Sequence, residues 1–401
     1  MKTNIAIIHD FVFVYAGAER VLEQMLACFP QADLFVLFDA LPDSQRAFLG
    51  SHTPRTTFIQ KMPWLHWNSA RFLPYAVPFM PLAVEQIDLS GYDIVLSSSH
   101  SFAKGVITGP DQLHIAYTHS PMRFAWDHQP VYLRAAGIDR GLKSWLARCA
   151  FSYLRMWDTR TANGVDCFIA NSNFIARRIW KVYRREAITL YPPIDVDQFP
   201  FVENKDDYYL VVSRLVPYKR IDLILDAFQQ MPEKKLVVIG EGPERKYLEA
   251  RAGSNTHLIG FQETPQLIDY MRRARAVLIA AEEDFGIAPI EAQACGTPVI
   301  AYRGGGVVET VRGGEMDYPT GLFFDRQEAG AIVEAIQRFE KSTGAIRPRD
   351  CRENARRFSP AFFRETYQNI VAEEWNRFQG VRQAAFWEPK ISLEDCRDAA
   401  R

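Results

Sequence analysis

Apolar positions along the chain fall into short β-branched runs separated by longer stretches in which apolar residues recur every three or four positions. The runs read as strands and the intervening stretches as helices, an alternation that predicts parallel α/β sheets. Two series occur. The first passes through Asn4 to His9, Asp33 to Phe38, Asp93 to Ser98, His114 to Thr118 and Asp166 to Ala170. The second passes through Tyr208 to Ser213, Leu236 to Gly240, His257 to Phe261, Ala276 to Ala280 and Pro298 to Tyr302. Between them, Tyr191 to Asp207 carries Pro192, Pro193 and Pro200 with several carboxylates and no sustained periodicity, so the hinge is expected there. After Asp350 the pattern turns helical, with Phe362, Tyr367, Ile370, Val371 and Trp375 at helical spacing; this last helix is expected to pack back on the first half. Ligands of open α/β sheets lie beyond the carboxyl ends of the strands, which directs attention to the loops after strands and to the cleft between the halves.

Composition narrows the class. With 401 residues, 48% hydrophobic and 24% charged, the chain has enough apolar material for two domain cores and is neither disordered nor fibrous. Lys plus Arg (47) nearly balance Asp plus Glu (48), so nothing in the overall charge recommends nucleic acid. Locally, residues 121 to 190 hold 12 Lys/Arg against 5 Asp/Glu, which reads either as solvated helix faces or as an attraction for an anionic partner. Cys28, Cys149, Cys167, Cys295, Cys351 and Cys396 are widely spaced, with neither paired nor metal-ligand spacing, as expected for a reducing, cytoplasmic compartment. The first thirty residues open directly on a strand pattern and no apolar run approaches a bilayer span. A soluble or peripheral protein is expected.

The strongest chemical signal is Glu283-Asp284-Phe285-Gly286-Ile287-Ala288-Pro289-Ile290-Glu291, directly after a strand. Gly286 allows a tight turn, and a helix starting there would aim free N–H groups and a positive dipole end at an anion such as a diphosphate. Glu283 in the loop and Glu291 within the helix could accept hydrogen bonds from sugar and ribose hydroxyls; the plain alternative is one surface and one helical glutamate. A second signal, Ser213-Arg214-Leu215-Val216-Pro217-Tyr218-Lys219-Arg220, also sits at a strand-to-helix turn. Arg214 and Lys219 can converge on one diphosphate and neutralise charge that grows on a leaving group. Two solvated side chains are the alternative.

The first of these segments resembles the Glu-x7-Glu motif of family 4 glycosyltransferases, retaining enzymes of the GT-B fold, and the second resembles that family's Arg/Lys pair. The resemblance implies two Rossmann-like α/β domains facing across a cleft, with the C-terminal helix packing back on the N-terminal domain. It places acceptor binding in residues 1–195, nucleotide-sugar binding in 206–360 and the crossover helix in 361–380. It casts Glu291 on the donor ribose, Glu283 on the transferred sugar, and Phe285, Gly286 and Ile287 beside donor sugar and phosphate. Ala16-Gly17-Ala18-Glu19 is similar to the family's Gly-Gly-x-Glu loop, with Ala16 replacing the first glycine, so Gly17 is expected near phosphate or acceptor. Tyr117 to Asp127 is similar to the His-containing loop of the subgroup that builds bacterial surface polysaccharides. There His119 would lie against the transferred sugar and Arg123 would be a lesser candidate for an acceptor phosphate. Gly240-Glu241-Gly242-Pro243 is similar to the family's turn beside the donor, and it lacks the third glycine of a dinucleotide fingerprint, which disfavours an NAD oxidoreductase.

The activity implied is metal-independent transfer of a hexose, with retention, to a saccharide acceptor. GDP-mannose is the preferred donor, a UDP-sugar the near alternative, and a sugar-nucleotide epimerase of the same fold a further one. The acceptor is expected to be linked to a polyprenyl diphosphate, which would bring the protein to the inner face of the cytoplasmic membrane. Between Gln60 and Pro81, Trp64, Trp67, Phe72, Tyr75 and Phe79 mix with Lys61 and Arg71, a composition that suits either a membrane interface or a loop covering the core.

Overall fold

The computed structural model describes residues 3–62, 75–342 and 344–385. Its first sheet has seven parallel strands: β1 (Ile5–Val12), β2 (Asp33–Asp39), β3 (Arg55–Thr56), β4 (Ile94–Ser99), β5 (Leu113–Thr118), β6 (Cys167–Ala170) and β7 (Ala187–Thr189), ordered β3-β2-β1-β4-β5-β6-β7. The second has six, also parallel: β8 (Tyr209–Val212), β9 (Leu236–Ile239), β10 (Thr256–Gly260), β11 (Ala276–Ile279), β12 (Val299–Tyr302) and β13 (Gly321–Phe324), ordered β10-β9-β8-β11-β12-β13. Strand order reverses between β1 and β4 in the first sheet and between β8 and β11 in the second. Loops leaving neighbouring strands part at these switch points and open a crevice.

The central strands of both sheets are covered on two faces, which is why they are buried along their length. Along β1, Ile5 and Ile7 enter one core while Ala6 and Ile8 enter the core on the opposite face, following the two-residue period of a strand. Along β8, Leu210 faces one core of the second half and Tyr209 and Val211 the other. β1 runs past His9 to Val12 because the charged Asp10 that follows is fully satisfied. Its carboxylate accepts backbone N–H bonds from His100 (2.7 Å), Ser101 (2.8 Å), Phe102 (2.6 Å) and Ala103 (2.6 Å). Buried charge is tolerable on such terms.

The last helix, Pro360–Ala385, returns to the first half as expected. Phe363, Tyr367, Ile370 and Val371 join the core formed by β1, β4, β5 and the helix Gly17–Cys28. Trp64, Trp67, Phe72 and Arg71 lie outside the described residues; Tyr75 and Phe79, from the same segment, are exposed. Among the described residues no helix is long and apolar enough to cross a membrane.

Candidate active site

The two strongest sequence-derived signals emerge at the switch point of the second sheet, after β8 and after β11. The loop after β8 passes through Ser213 and Arg214 into a single 3-10 turn, Pro217–Lys219, before the helix Ile221–Gln229. After β11 the chain runs through Glu283 to Gly286, which takes a left-handed φ of 91° as the cap of the helix Ile287–Ala294. That conformation suits glycine, and it turns the first N–H groups of the helix outward as orphan donors. The neighbouring Gly304–Gly306 loop lies directly on this turn. A Cβ on Gly305 would fall 2.2 Å from the Glu283 carbonyl oxygen, and the N–H of Gly306 donates to that same oxygen (2.7 Å). Gly240 closes from β9: a Cβ there would come within 1.9 Å of the Ser213 carbonyl oxygen.

Within this crevice Lys219 Nζ donates to both carboxylate oxygens of Glu283, at 2.6 and 2.8 Å. Each side chain is under one-fifth exposed, so the charges are partly desolvated and attract more strongly than on an open surface. Arg214 is exposed and forms no ion pair among the described residues. Glu291, buried in its helix, is met from the other domain by Arg20 Nη1 at 2.7 Å. Gly17, one turn earlier on that helix, admits the tip of Ile287; a Cβ at position 17 would lie 2.5 Å from Ile287 Cδ1. The structure thus brings together Gly17, Lys219, Glu283, Gly286, Ile287 and Glu291.

Three of the expected residues have partners within the protein. Phe285 turns its side chain into the second core, stacked on Tyr191 at 5.6 Å and edge-on to Phe358 at 5.7 Å, so its ring cannot line a ligand site. Arg123 is engaged rather than free. It donates to Asp284 (3.0 Å) and His128 (2.8 Å) and lies over the Tyr218 ring, tying the two domains. Glu291 is paired with Arg20. Burial raises the pKa of Asp284, with Arg123 and Arg178 opposing the shift.

His119 sits half-buried at the end of β5, with Nε2 2.9 Å from Ser98 Oγ. Ser98 Oγ also lies 3.0 Å from His9 Nδ1, and the Glu19 carboxylate stands 3.8 Å from His9 Nε2. Glu19 in turn accepts from the Ala16 N–H (3.1 Å), half of a capping box at the start of its helix. Ser98 Oγ thus bridges the two imidazoles, reaching His9 at Nδ1 and His119 at Nε2. Desolvation, with His100 and His9 close by, pushes the His119 pKa well below its usual range and keeps the ring neutral. Against burial, which would raise it, the pKa of Glu19 is lowered by His9.

Two further contacts had no sequence signal of their own. Glu309 accepts from the N–H groups of Asn173 (2.8 Å) and Phe174 (2.9 Å) and from Tyr191 Oη (3.1 Å), capping the helix Asn173–Tyr183 across the domain boundary. Arg20 is the other; its place beside Glu19 in the loop motif was the available hint. Among the described residues no group of three or more His, Cys, Asp or Glu side chains is placed to hold a metal ion.

Two family models together match residues 15–358: Glycosyltransferase Family 4 over residues 15–198 and Glycosyl transferases group 1 over 194–358. The chain belongs to the family 4, group 1 glycosyltransferases. An uncharacterised glycosyltransferase of Methanocaldococcus jannaschii is 26% identical over 210 residues, 49% of this chain and 55% of that protein. The D-inositol 3-phosphate glycosyltransferase of Mycobacterium bovis is 24% identical over 253 residues, 57% of this chain and 52% of its own length. The matches therefore span about half of these relatives. Among solved structures, Anabaena HepE in complex with UDP superposes with a TM-score of 0.67 at 17% identity, covering 92% of this chain and all (100%) of that one. Sucrose-phosphate synthase of Thermosynechococcus elongatus gives 0.68 at 18%, covering 94% and 100%. The fold of this glycosyltransferase is GT-B. These models and relatives do not favour the sugar-nucleotide epimerase.

Proposed function

We propose that the chain is a retaining, metal-independent hexosyltransferase that moves a sugar from a nucleoside diphosphate to a saccharide acceptor at the domain cleft. One observation carries this reading: the Lys219–Glu283 pair and the outward-turned N-terminus of the helix Ile287–Ala294 share one switch-point crevice that Gly17 and Arg20 close from the opposite domain. In this reading Lys219 and Arg214 stabilise the diphosphate as the anomeric C–O bond breaks. The acceptor oxygen bonds to the anomeric carbon on the face that the diphosphate leaves, and the hydroxyl proton passes to a departing phosphate oxygen. Glu291 takes the donor ribose when Arg20 releases it, Glu283 takes sugar hydroxyls, and His119 lies against the transferred sugar. Protein cations supply the charge neutralisation that a metal would otherwise provide.

The resemblance of the His119 loop to mannosyltransferases of bacterial surface polysaccharide synthesis supports GDP-mannose as donor and a lipid-linked acceptor. A UDP-hexose is the second reading, favoured by the similarity in fold to HepE, a protein crystallised with UDP and with UDP-glucose. The test is release of GDP or UDP from GDP-mannose and UDP-glucose in the presence of lipid-linked saccharide, with the anomeric configuration of the product read by NMR and chelator added in parallel. Retention with chelator-resistant turnover is expected. Inversion, or turnover that requires added metal, would overturn the reading.

A further inference from the structure

The helix Gly141–Thr161 has two apolar faces, and the first domain's core uses only one. Its inner face carries Leu154, Trp157 and the half-buried Phe151 into that core, along with Asp158, which is fully buried against Lys104 at 2.8 Å. On the opposite side Leu142, Trp145, Leu146, Tyr153 and Met156 stand between 49% and 73% exposed, with exposed Cys149 among them. Their spacing of three, one, three, four and three residues keeps them within one stripe, about 21 Å long at 1.5 Å per residue. Single exposed apolar side chains need no explanation; a continuous stripe of this length does. The neighbouring helix Met80–Glu85 extends the surface with exposed Leu82, and with Phe79 just before it. Glu85 ties the two helices by accepting from Trp157 Nε1 (2.7 Å) and from Arg160.

We infer that this stripe docks on an anionic lipid bilayer. Charge selects the occupant. The only carboxylate on the long helix is the buried Asp158, so its solvent side presents Lys143, Arg148 and Arg160 with no acid of its own. Arg140 just precedes it, beside Asp139, and Glu85 answers Arg160. Arg155 is turned inward. Two copies meeting through this face would set these cations against each other, because an isologous contact repeats the same patch on both sides. Anionic headgroups complement them, and Trp and Tyr are side chains that settle at a bilayer interface. Position agrees with charge. Arg155 Nη1 donates to the Ala125 carbonyl (2.8 Å) and Gln129 Oε1 (3.0 Å), and Phe151 meets Phe124 at 6.0 Å. The loop so held carries Arg123, which reaches Asp284 in the cleft. The stripe therefore lies roughly one helix diameter, about 10 Å, behind a wall of the site. The purpose of such docking rests on the proposed lipid-linked acceptor, but the docking itself requires neither donor nor acceptor.

The test uses the full chain with Cys396→Ser, so that Cys149 is the accessible thiol for an environment-sensitive fluorophore; Cys28, Cys167, Cys295 and Cys351 are buried. Vesicles of phosphatidylglycerol and phosphatidylcholine, made without any saccharide lipid, are titrated in 0.1 M salt. Expected are a blue shift of the label and flotation of unlabelled protein with the vesicles. Partitioning should fall by about tenfold or more in Leu142→Ser/Leu146→Ser/Met156→Ser, whose exposed positions leave the core intact. Lys143→Gln/Arg148→Gln should weaken binding to the anionic vesicles and leave binding to pure phosphatidylcholine unchanged. Equal flotation of wild type and the triple variant would overturn the inference. So would a concentration-dependent dimer abolished by the triple variant, which would give the face to a second copy. Binding to these vesicles with no glycosyl transfer in the separate assay on lipid-linked saccharide would uphold the surface and reject the acceptor, whereas transfer in that assay without vesicle binding would do the reverse.

Discussion

Lys219→Ala removes a cation whose Nζ sits 2.6 and 2.8 Å from the two oxygens of Glu283, in a crevice where each side chain is under one-fifth exposed. Two losses follow. Glu283 is left partly buried without its donor, and a hydrogen bond to a charged group is worth about 1.5 to 3 kcal/mol. If the ammonium also stabilises the leaving diphosphate, a preorganised charge of this kind contributes roughly 2 to 4 kcal/mol to the transition state, or about 30- to 1,000-fold in kcat/KM. The two can be separated with Glu283→Gln in a double-mutant cycle, because the residues are in contact and their effects need not add. A lysine that only holds Glu283 would cost little once Glu283 is already changed. A lysine that also touches the donor would lose a further factor on top of Glu283→Gln. Nucleotide release under kcat/KM conditions is the assay, with circular dichroism to confirm folding. A folded Lys219→Ala protein within threefold of wild type would refute the role assigned to Lys219.

Glu309→Ala strips two backbone donors and Tyr191 of their acceptor at the domain boundary and should loosen closure by roughly 1 to 3 kcal/mol, allowing for its partial exposure. Small-angle scattering should show a larger radius of gyration, and an unchanged curve would count against the interdomain cap. Gly286→Ala places a Cβ at a left-handed φ of 91° and 3.2 Å from Pro289 Cγ, at a cost of about 1 to 2 kcal/mol; nucleotide affinity should fall, and wild-type affinity would show that the turn tolerates the change. Burial lowers the pKa of His114 to about 4. The unfolded chain gains that proton near pH 6.5 and the folded one only near 4, so stability is full above pH 6.5 and falls by up to roughly 3 kcal/mol as pH drops to 4. Urea midpoints at pH 7, 5.5 and 4 should decline in that order, less steeply in His114→Gln, and a flat series would contradict the burial of a neutral imidazole.

The strands legible in the sequence were those buried on both faces, such as Ile94–Ser99 and Ala276–Ile279, where an apolar run and a following turn coincide. Arg55–Thr56 and Ala187–Thr189 lie at the two edges of their sheet and are short and partly exposed, which leaves no apolar run to read. Gly321–Phe324 begins with a glycine and is a four-residue strand at the edge of its sheet, which gives little apolar run to read. Glu283 and Lys219 could be picked out because each belongs to a local turn with its own geometry. Arg20 against Glu291 and Glu309 against Asn173 could not: pairs joined only by domain closure carry no spacing in the chain. Phe285 was legible as part of a segment, but its inward rotation depends on Tyr191 and Phe358.

The central claim is that the crevice formed after β8 and β11 binds a nucleoside diphosphate sugar. Isothermal titration of the purified chain with GDP, UDP, ADP, dTDP and NAD, repeated on Lys219→Ala, tests it directly. Saturable binding of GDP or UDP, weakened about tenfold or more in the variant, is the predicted result. Binding confined to NAD, or equal affinity for GDP and UDP in both proteins, would contradict it.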